Sequence, residues 1–248
     1  ASLPVWLIET LVEQNGEAKT RQIIGSINDA PAQAIRVNTV LSTDEAVEQA
    51  LLDEHFTFVK SKVADHAYVV TGGHVAGSKA YQDGLLTLQD ESAMLPVEAL
   101  QITTQVKTVL DAAAAPGGKT TQIAQYIADD ATITALDIHA HKIRLIEANA
   151  KRLHVSDKIT AQVLDARQTA NQLTTKFDRI LVDAPCSGFG LLRRKPEIRY
   201  DKTLEDVMSL ASLQGEILDS VSQNVADNGM IVYSTCTILR QENDDVIA

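Results

Sequence analysis

From about residue 107 to the end of the chain, short apolar runs of strand length alternate with longer amphipathic runs of helical period. Five runs are typical of strands, at 108–112, 131–137, 158–164, 179–183 and 230–234. Helical patterns lie between them, at 119–127, 141–153 and 204–225. This alternation predicts an α/β fold in which helices cover both faces of a doubly wound, mostly parallel sheet.

The first hundred residues carry a less regular pattern. It predicts helices at 4–12, 18–27 and 43–52, strands at 34–40 and 85–88, and a helix from an N-cap at Asp90 to residue 100, with a loop at 72–77. We therefore expect a small α+β subdomain over 1–100 and a second domain over 101–248. The second domain stops soon after its fifth strand, with a further helix beginning at 242–248. We expect the chain to be a piece of a longer one.

Composition is that of an ordinary folded domain: 45% of the 248 residues are hydrophobic, which is enough for a full core. The sequence has no apolar run of membrane-spanning length, and its first residues lack a signal-peptide pattern. We expect a cytoplasmic monomer with no membrane partner and no bound metal, whose two cysteines stay reduced.

The net charge of −11 argues against a nucleic-acid partner, but the positive side chains concentrate in the middle of the chain. The densest basic cluster consists of Arg193, Arg194, Lys195 and Arg199, shortly after Cys186. This cluster is either a solvated basic turn or a contact for phosphate groups, and its position beside a thiol favours phosphate.

A loop of small residues joins the first parallel strand to the helix after it, over 111–120. Such a turn brings backbone N–H groups and a helix N-terminus together, so it indicates a nucleotide-like ligand. A phosphate-binding P-loop is a rival interpretation, because Gly118-Lys-Thr120 matches its ending and Asp183 could hold magnesium. Against it, Ala113 replaces the first glycine and Pro116 has no amide to offer.

Acidic residues end three of the predicted strands, at Asp111, Asp137 and Asp165. Taken singly, each is more often an N-cap or turn residue. Asp137 could accept hydrogen bonds from both hydroxyls of a ribose, and Asp165 could meet an adenine amino group. Together with the loop they indicate an adenosine-containing ligand, and S-adenosylmethionine fits best.

Both cysteines follow predicted strands, Cys186 in Asp183-Ala-Pro-Cys-Ser-Gly188 and Cys236 in Tyr233-Ser-Thr-Cys-Thr237. Reduced cysteines are commonly buried as small hydrophobic side chains, but ligands bind at the carboxyl ends of strands in open α/β sheets. A thiolate can add to C6 of a pyrimidine and so activate C5 for methylation. A second thiol can then assist proton transfer, with Asp183 near N3 of the ring.

These motifs together resemble the Sun (Fmu) family of RNA cytosine-5 methyltransferases. The resemblance covers about 36–248 and rests on the segments 114–120, 183–188 and 233–237. Supporting segments are Arg36-Val-Asn38, Leu88-Gln-Asp-Glu-Ser92, Arg193-Arg-Lys-Pro-Glu-Ile198 and Gln241-Glu-Asn243. The Arg-Arg-x-Pro-Glu-Ile stretch is most similar to bacterial members that modify 16S ribosomal RNA.

The resemblance implies a Rossmann-like methyltransferase domain that transfers a methyl group from S-adenosylmethionine to C5 of a cytosine in ribosomal RNA, with the small-subunit RNA as partner. It implies that Cys236 is the nucleophile that adds to C6 and that Cys186 assists proton removal and product release. Asp183 and Lys119 would also face the target base. The implied cofactor-binding residues are Ala113, Ala114, Ala115, Pro116, Gly117, Gly118, Lys119, Asp137, Asp165 and Asp183.

The chain departs from the family pattern at Ala113, where Cys is common, and at Lys142, where Arg is common. An N-terminal domain resembling the antitermination factor NusB and a final strand hairpin are expected to be missing from this piece. Two alternatives stay open: a P-loop-like NTPase, and a non-catalytic ribosome-assembly factor that kept the fold.

Overall fold

The computed structural model describes residues 3–248, which form two compact units. The sheet unit comprises Ala32–Asp183 and Ser220–Tyr233, and the cysteine unit comprises the described residues up to Pro31 with Ala184–Asp219 and Ser234–Ala248.

The strands are β1 Gln33–Val37, β2 Thr57–Lys60, β3 Ala67–Thr71, β4 Leu86–Leu88, β5 Thr108–Asp111, β6 Thr132–Asp137, β7 Ile159–Val163, β8 Phe177–Asp183 and β9 Val225–Ser234. The helices are α1 Val5–Ser26, α2 Asp44–Asp53, α3 Lys79–Gln82, α4 Glu91–Ala99, α5 Gly118–Tyr126, α6 Ala140–Arg152, α7 Thr169–Gln172, α8 Ile198–Asp201, α9 Leu204–Ser222 and α10 Asp244–Ile247.

The sheet unit contains two separate sheets. Strands β1 to β4 form an antiparallel sheet of order β2-β3-β1-β4, and β5 to β9 form a second sheet of order β7-β6-β5-β8-β9. Within the second sheet β5 pairs in parallel with both β6 and β8, and β6 pairs in parallel with β7. The strand order reverses beside β5, which creates the switch point where ligands bind in doubly wound sheets.

Buried aliphatic side chains hold the second sheet to its helices. Val109, Ile133 and Leu181 from three neighbouring strands share one fully buried cluster with Ile123 of α5 and Leu153 beside α6. Each such side chain contributes roughly 1.5–3 kcal/mol when it leaves water. This core fixes the positions of the strand ends.

The cysteine unit has its own core around α1. Leu7 and Leu11 of α1 are fully buried, and they cluster with Phe189, Val207 and Leu239. The helix is interrupted at Gly16, whose φ of 75° and ψ of 163° lie outside the helical region. The interruption agrees with the sequence pattern, which predicts two helices here.

The predicted fold class is confirmed: a doubly wound, parallel sheet is present, together with a smaller antiparallel sheet from the first hundred residues. Strands β2 and β3 were not predicted. Strand β2 is short and mostly exposed, and β3 is mostly buried on both faces, so neither shows a clear apolar alternation. Asp90 takes the N-cap position of α4 with extended backbone, but its side chain makes no capping hydrogen bond. The predicted boundary near residue 100 stays a prediction.

Across the described residues, no helix combines the length and the apolar character that crossing a bilayer requires.

Candidate functional site

Four aspartates stand in a row along the carboxyl edge of the parallel sheet. Asp111 ends β5, Asp137 ends β6 and Asp183 ends β8. Asp165 follows the end of β7 by two residues. Since these strands run parallel, their acids share one edge of the sheet, as the sequence pattern predicts.

A cleft of about 190 Å³ opens at this edge beside β5 and β8. Its walls come from the small-residue loop, from two strand-ending acids and from the segment between β4 and α4. The lining residues are Gln89, Asp90, Ala93, Asp111, Ala113, Ala114, Ala115, Pro116, Gly118, Lys119 and Asp183.

The small-residue loop is held to the sheet by its own backbone. The amides of Ala112 and Ala114 donate to Leu181 O and Leu136 O, and the amide of Gly117 donates to Ala114 O. These N–H groups are therefore not available to cradle phosphate, and Pro116 has none. The loop geometry thus disfavours the P-loop interpretation.

Gly117 is required by the local backbone. Its φ of 103° lies in the left-handed region, and a Cβ built there would lie 3.1 Å from Ile146 Cα. Without a side chain at this position the loop can turn tightly into α5.

Asp111 is fully buried at the base of the cleft. Its Oδ2 accepts a hydrogen bond of 2.7 Å from the Thr120 hydroxyl, while Oδ1 is buried with no hydrogen-bond partner. Burial raises the pKa of Asp111 to about 6. A buried carboxylate oxygen without a donor is costly, and it makes this cleft suited to a ligand with positive charge or hydrogen-bond donors.

Lys119 and Asp183 form an ion pair on the cleft wall. Lys119 Nζ lies 2.7 Å from Asp183 Oδ2, and the two side chains are 18% and 31% exposed. The two residues therefore lie together on one wall, and their predicted roles toward cofactor and base stay predictions.

Asp137 and Asp165 stand at the same edge but do not line the cleft. Asp137 Oδ1 accepts from the His139 amide at 2.9 Å, and Asp165 binds the guanidinium of Arg167 at 2.7 Å. The hydrogen bonds from Arg167 lower the pKa of Asp165. Both carboxylates are thus engaged by their own local segments, and their cofactor roles remain predictions.

Sequence reasoning gave no role to the cleft residues Gln89, Asp90 and Ala93. Arg36 lies behind them: it is fully buried and donates to Gln89 Oε1 at 2.8 Å, to Thr121 Oγ1 at 3.2 Å and to Gly118 O at 3.3 Å. Burial lowers the pKa of Arg36 to about 9, so the guanidinium remains charged at neutral pH. The sequence did contain a sign of this wall, because the segments 36–38 and 88–92 both resemble the family. That resemblance implied no function for their residues.

The two thiols meet within the cysteine unit. Cys186 Sγ lies 2.9 Å from Cys236 Sγ, and the Cys236 amide donates to Cys186 Sγ at 3.2 Å. The two sulfurs are not joined in a disulfide. The hydrogen bond with Cys236 and burial both raise the pKa of the Cys186 thiol. Cys186 therefore keeps its proton under conditions in which an ordinary thiol would ionise.

A close backbone approach supports this arrangement. The Gly190 amide donates to Cys236 O at 2.9 Å, and a Cβ on Gly190 would lie 2.7 Å from that oxygen. Only a residue without a side chain fits against the Cys236 carbonyl at this distance.

The basic cluster predicted to contact RNA is not one exposed patch. Arg193, Arg194 and Lys195 are exposed, but Arg199 is buried at 7% exposure, and its Nε has no hydrogen-bond partner. Arg199 was predicted to contact RNA together with the other three, but its side chain is buried on α8 and so is not accessible to a phosphate backbone.

The parallel sheet, its strand-end acids and the small-residue loop define a Rossmann-like fold of the S-adenosylmethionine-dependent methyltransferase class. The chain belongs to the 16S rRNA methyltransferase RsmB/F family, whose model matches residues 98–248. A second model, for the ferredoxin-like domain of RsmF/B-like methyltransferases, matches residues 3–75. The family that the motifs resemble is thereby confirmed.

A curated relative is the probable ribosomal RNA small subunit methyltransferase B of Bacillus subtilis, 39% identical over 247 residues. The match covers 99% of this chain and 55% of the relative, so the chain spans about half the length of that protein. A methyltransferase homolog from Pyrococcus horikoshii superposes with a TM-score of 0.83 at 27% identity, over 99% of this chain and 81% of that one. NSun6 from the same organism, solved with SFG, shares the fold with a TM-score of 0.89 at 21% identity, over 98% of this chain and 86% of that one.

Proposed function

We propose that the chain is the methyl-transfer part of a ribosomal RNA methyltransferase that acts on C5 of a cytosine in 16S rRNA. The observation that carries this proposal is the contact between Cys186 and Cys236, with sulfurs 2.9 Å apart. Two thiols in contact, one of which retains its proton, suit a reaction that needs both a nucleophile and a proton-transfer group.

The cleft residues fit the cofactor, S-adenosylmethionine, which when bound supplies an electrophilic methyl group on a sulfonium. Asp111 and Asp183 place carboxylates on the walls for a cationic ligand, and the alanines of the loop allow close approach to the main chain. Asp137 and Asp165 extend the acidic edge toward where a ribose and an adenine would lie.

In the proposed reaction the Cys236 thiolate adds to C6 of cytosine, which makes C5 nucleophilic toward the methyl donor. Before attack, the Cys186 S–H donates to the Cys236 sulfur and favours its thiolate form. Once Cys236 is bonded to C6, its sulfur no longer holds the Cys186 proton by a hydrogen bond to a thiolate, and Cys186 can lose that proton to solvent. After methylation the Cys186 thiolate takes the C5 proton. The electron pair of that C–H bond then expels the Cys236 thiolate and restores the aromatic ring.

Asp183 and Lys119 are proposed to face the target base. The exposed residues Arg193, Arg194 and Lys195 are proposed to hold the RNA backbone. The base would be taken from a single-stranded or looped segment, because C5 and C6 must be unstacked to meet a thiolate.

A trapping experiment tests the assignment of the two thiols. The protein is incubated with S-adenosylmethionine and with 16S rRNA purified from cells that lack this protein. Covalent protein–RNA species are then resolved on a denaturing gel. Cys186→Ala is expected to accumulate an adduct, because product release is blocked, and Cys236→Ala is expected to form none. An adduct with Cys236→Ala and none with Cys186→Ala would reverse the roles.

Two further measurements, calorimetry of cofactor binding and incorporation of methyl groups into RNA, distinguish the alternatives. A ribosome-assembly factor that kept the fold would bind S-adenosylmethionine in calorimetry, yet it would incorporate no methyl group into RNA. An NTPase would hydrolyse a nucleoside triphosphate and would not bind S-adenosylmethionine.

A further inference from the structure

We propose that Glu242 and Asn243 are positioning residues that hold the two cysteine loops together by hydrogen bonds and so keep Cys186 and Cys236 in contact. The inference deepens the proposed function, since it concerns how the two thiols of that reaction are aligned. Neither residue needs to touch RNA or cofactor for this role.

Glu242 binds the loop of Cys186 through the next residue. The carboxylate is fully buried; its Oε1 accepts from the Ser187 amide at 2.8 Å, and its Oε2 accepts a short hydrogen bond from the Ser187 hydroxyl. Oε1 also accepts from Gln214 Nε2 at 3.0 Å, and the same Nε2 donates to Pro185 O at 2.8 Å. The residues on both sides of Cys186 are therefore tied to one carboxylate.

The same network reaches the loop of Cys236. Ser187 Oγ lies 3.0 Å from Thr237 Oγ1, and Thr237 directly follows Cys236. Since the Ser187 proton is donated to Glu242, the Thr237 hydroxyl is the donor between the two loops. Residues one position beyond each cysteine are thus joined through a buried side-chain bridge.

Asn243 braces the Cys236 loop from its other side. Its Oδ1 accepts from the Thr235 hydroxyl at 2.7 Å, and its Nδ2 donates to Leu239 O at 2.8 Å and to Thr237 O at 3.4 Å. Thr235 and Thr237 flank Cys236, so both neighbours of the nucleophile are held by the Glu242-Asn243 pair.

A positioning role explains why a carboxylate is buried here at all. Removing a charge from water is costly unless hydrogen bonds compensate for it, and Glu242 accepts two from Ser187 and one from Gln214. The hydrogen bonds of Glu242 reach the cysteine loops through Ser187 and, by way of Ser187, Thr237, so its effect on the thiols passes through these two residues. Within this network Gln214 Oε1 is buried without a hydrogen-bond partner, and the loops are held by the hydrogen bonds that Ser187 makes with Glu242 and Thr237.

Disulfide formation between the two thiols measures their alignment without RNA or cofactor. The protein is equilibrated with defined ratios of reduced and oxidised glutathione, and the fraction of the Cys186–Cys236 disulfide is read by mass spectrometry after acid quench. The equilibrium constant reports the effective concentration of one thiol at the other. Circular dichroism checks that each variant is folded.

Glu242→Ala is expected to lower this equilibrium constant at least tenfold, and Asn243→Ala several-fold. Glu242→Gln should remain within about threefold of the parent, because a carboxamide can accept from the Ser187 amide while donating to its hydroxyl. The matched control is Asp244→Ala, a neighbouring carboxylate whose side chain is 72% exposed, and it should change nothing.

An unchanged equilibrium constant in folded Glu242→Ala would overturn the proposal, as would equal losses in Glu242→Gln and Glu242→Ala. Should Glu242→Ala fail to fold, Thr237→Val is the deciding variant, because it removes only the hydroxyl that joins the loops. An unchanged equilibrium constant in Thr237→Val would overturn the positioning role.

Failure of methyl transfer in the parent protein, with the disulfide results as expected, would refute the proposed function but not the positioning role. With activity present, Glu242→Ala should lower kcat for adduct formation and leave the KM for S-adenosylmethionine unchanged.

Discussion

The cleft of the sheet unit and the thiol pair of the cysteine unit are built by different means. The cleft is made by strand ends and a loop whose amides are bound to neighbouring strands, so backbone register sets its shape. The thiol pair lies on two loops separated by about fifty residues of chain, and side chains hold those loops together. Substitutions should therefore separate cofactor binding from thiol alignment.

The largest effect is expected at the buried guanidinium behind the cleft. Arg36→Ala removes three hydrogen bonds and leaves Gln89 Oε1 without its arginine donor, while Gly118 O keeps the hydrogen bond from the Thr121 hydroxyl. The loss should cost about 3 kcal/mol of unfolding free energy. The affinity for S-adenosylmethionine should fall because the cleft wall loses its support.

Urea unfolding and calorimetry check this prediction, and the exposed Arg21→Ala serves as control, with an expected change below about 0.5 kcal/mol. Full cofactor affinity in a destabilised Arg36→Ala would show that the wall does not depend on Arg36. The thiol pair should form its disulfide as in the parent.

Asp111, at the base of the cleft, should make the free energy of unfolding depend on pH. Because burial raises its folded pKa to about 6, above the ordinary value of 3.8, its stabilising contribution is complete below pH 3.8 and is lost as pH rises through 6. The loss amounts to roughly 3 kcal/mol on this basis. Asp111→Asn should abolish it.

The measurement is the difference in unfolding free energy between Asp111→Asn and the parent at several pH values from 4 to 7. The difference should grow in favour of the variant as pH increases. A difference that is constant with pH would mean that Asp111 titrates as an exposed carboxylate does.

Two glycines provide a matched pair of small substitutions, one in each region. Gly117→Ala forces a side chain into a left-handed backbone beside Ile146, at a cost of about 2 kcal/mol, and should weaken cofactor binding about tenfold or more. Gly190→Ala pushes against Cys236 O and should lower disulfide formation by a similar factor.

Each glycine variant is the control for the other. Calorimetry should show normal cofactor affinity in Gly190→Ala, and glutathione titration should show normal thiol alignment in Gly117→Ala. Loss of both properties in either variant would indicate that the two regions are coupled.

The smallest effect is expected from the exposed basic side chains. Replacing Arg193, Arg194 and Lys195 with Ala should weaken RNA binding and reduce the slope of log affinity against log salt by up to about three. Filter binding over a series of salt concentrations gives the slope, and Arg21→Ala should leave it unchanged. Equal slopes in the triple variant and the parent would remove these residues from the RNA contact.

The sequence predicts the parallel sheet well, because its strands are continuous apolar runs and several of them end in an acidic side chain or lead into a cysteine-containing turn. It therefore locates Asp111, Asp183 and the small-residue loop in one place. It does not predict β2, whose exposed side chains show no apolar alternation. It also gives Arg199 the wrong surroundings, since a basic run does not show which member turns inward.

The distance between the thiols is beyond sequence reasoning for another reason. It depends on Glu242 and Thr237, whose hydrogen bonds form only after distant segments fold together. Similarly, Gln89 and Asp90 belong to a segment before the parallel sheet, and no periodicity connects them with the cleft.

The position of Gln89, Asp90 and Ala93 has a consequence for modularity. These residues form part of the cleft wall, yet they precede residue 98, where the methyltransferase family match begins. A recombination or excision event at that boundary would divide the ligand site between two pieces. The unit that can be inherited or transplanted with its cofactor pocket intact therefore begins no later than the strand that carries Arg36, and the antiparallel sheet is a component of the catalytic module.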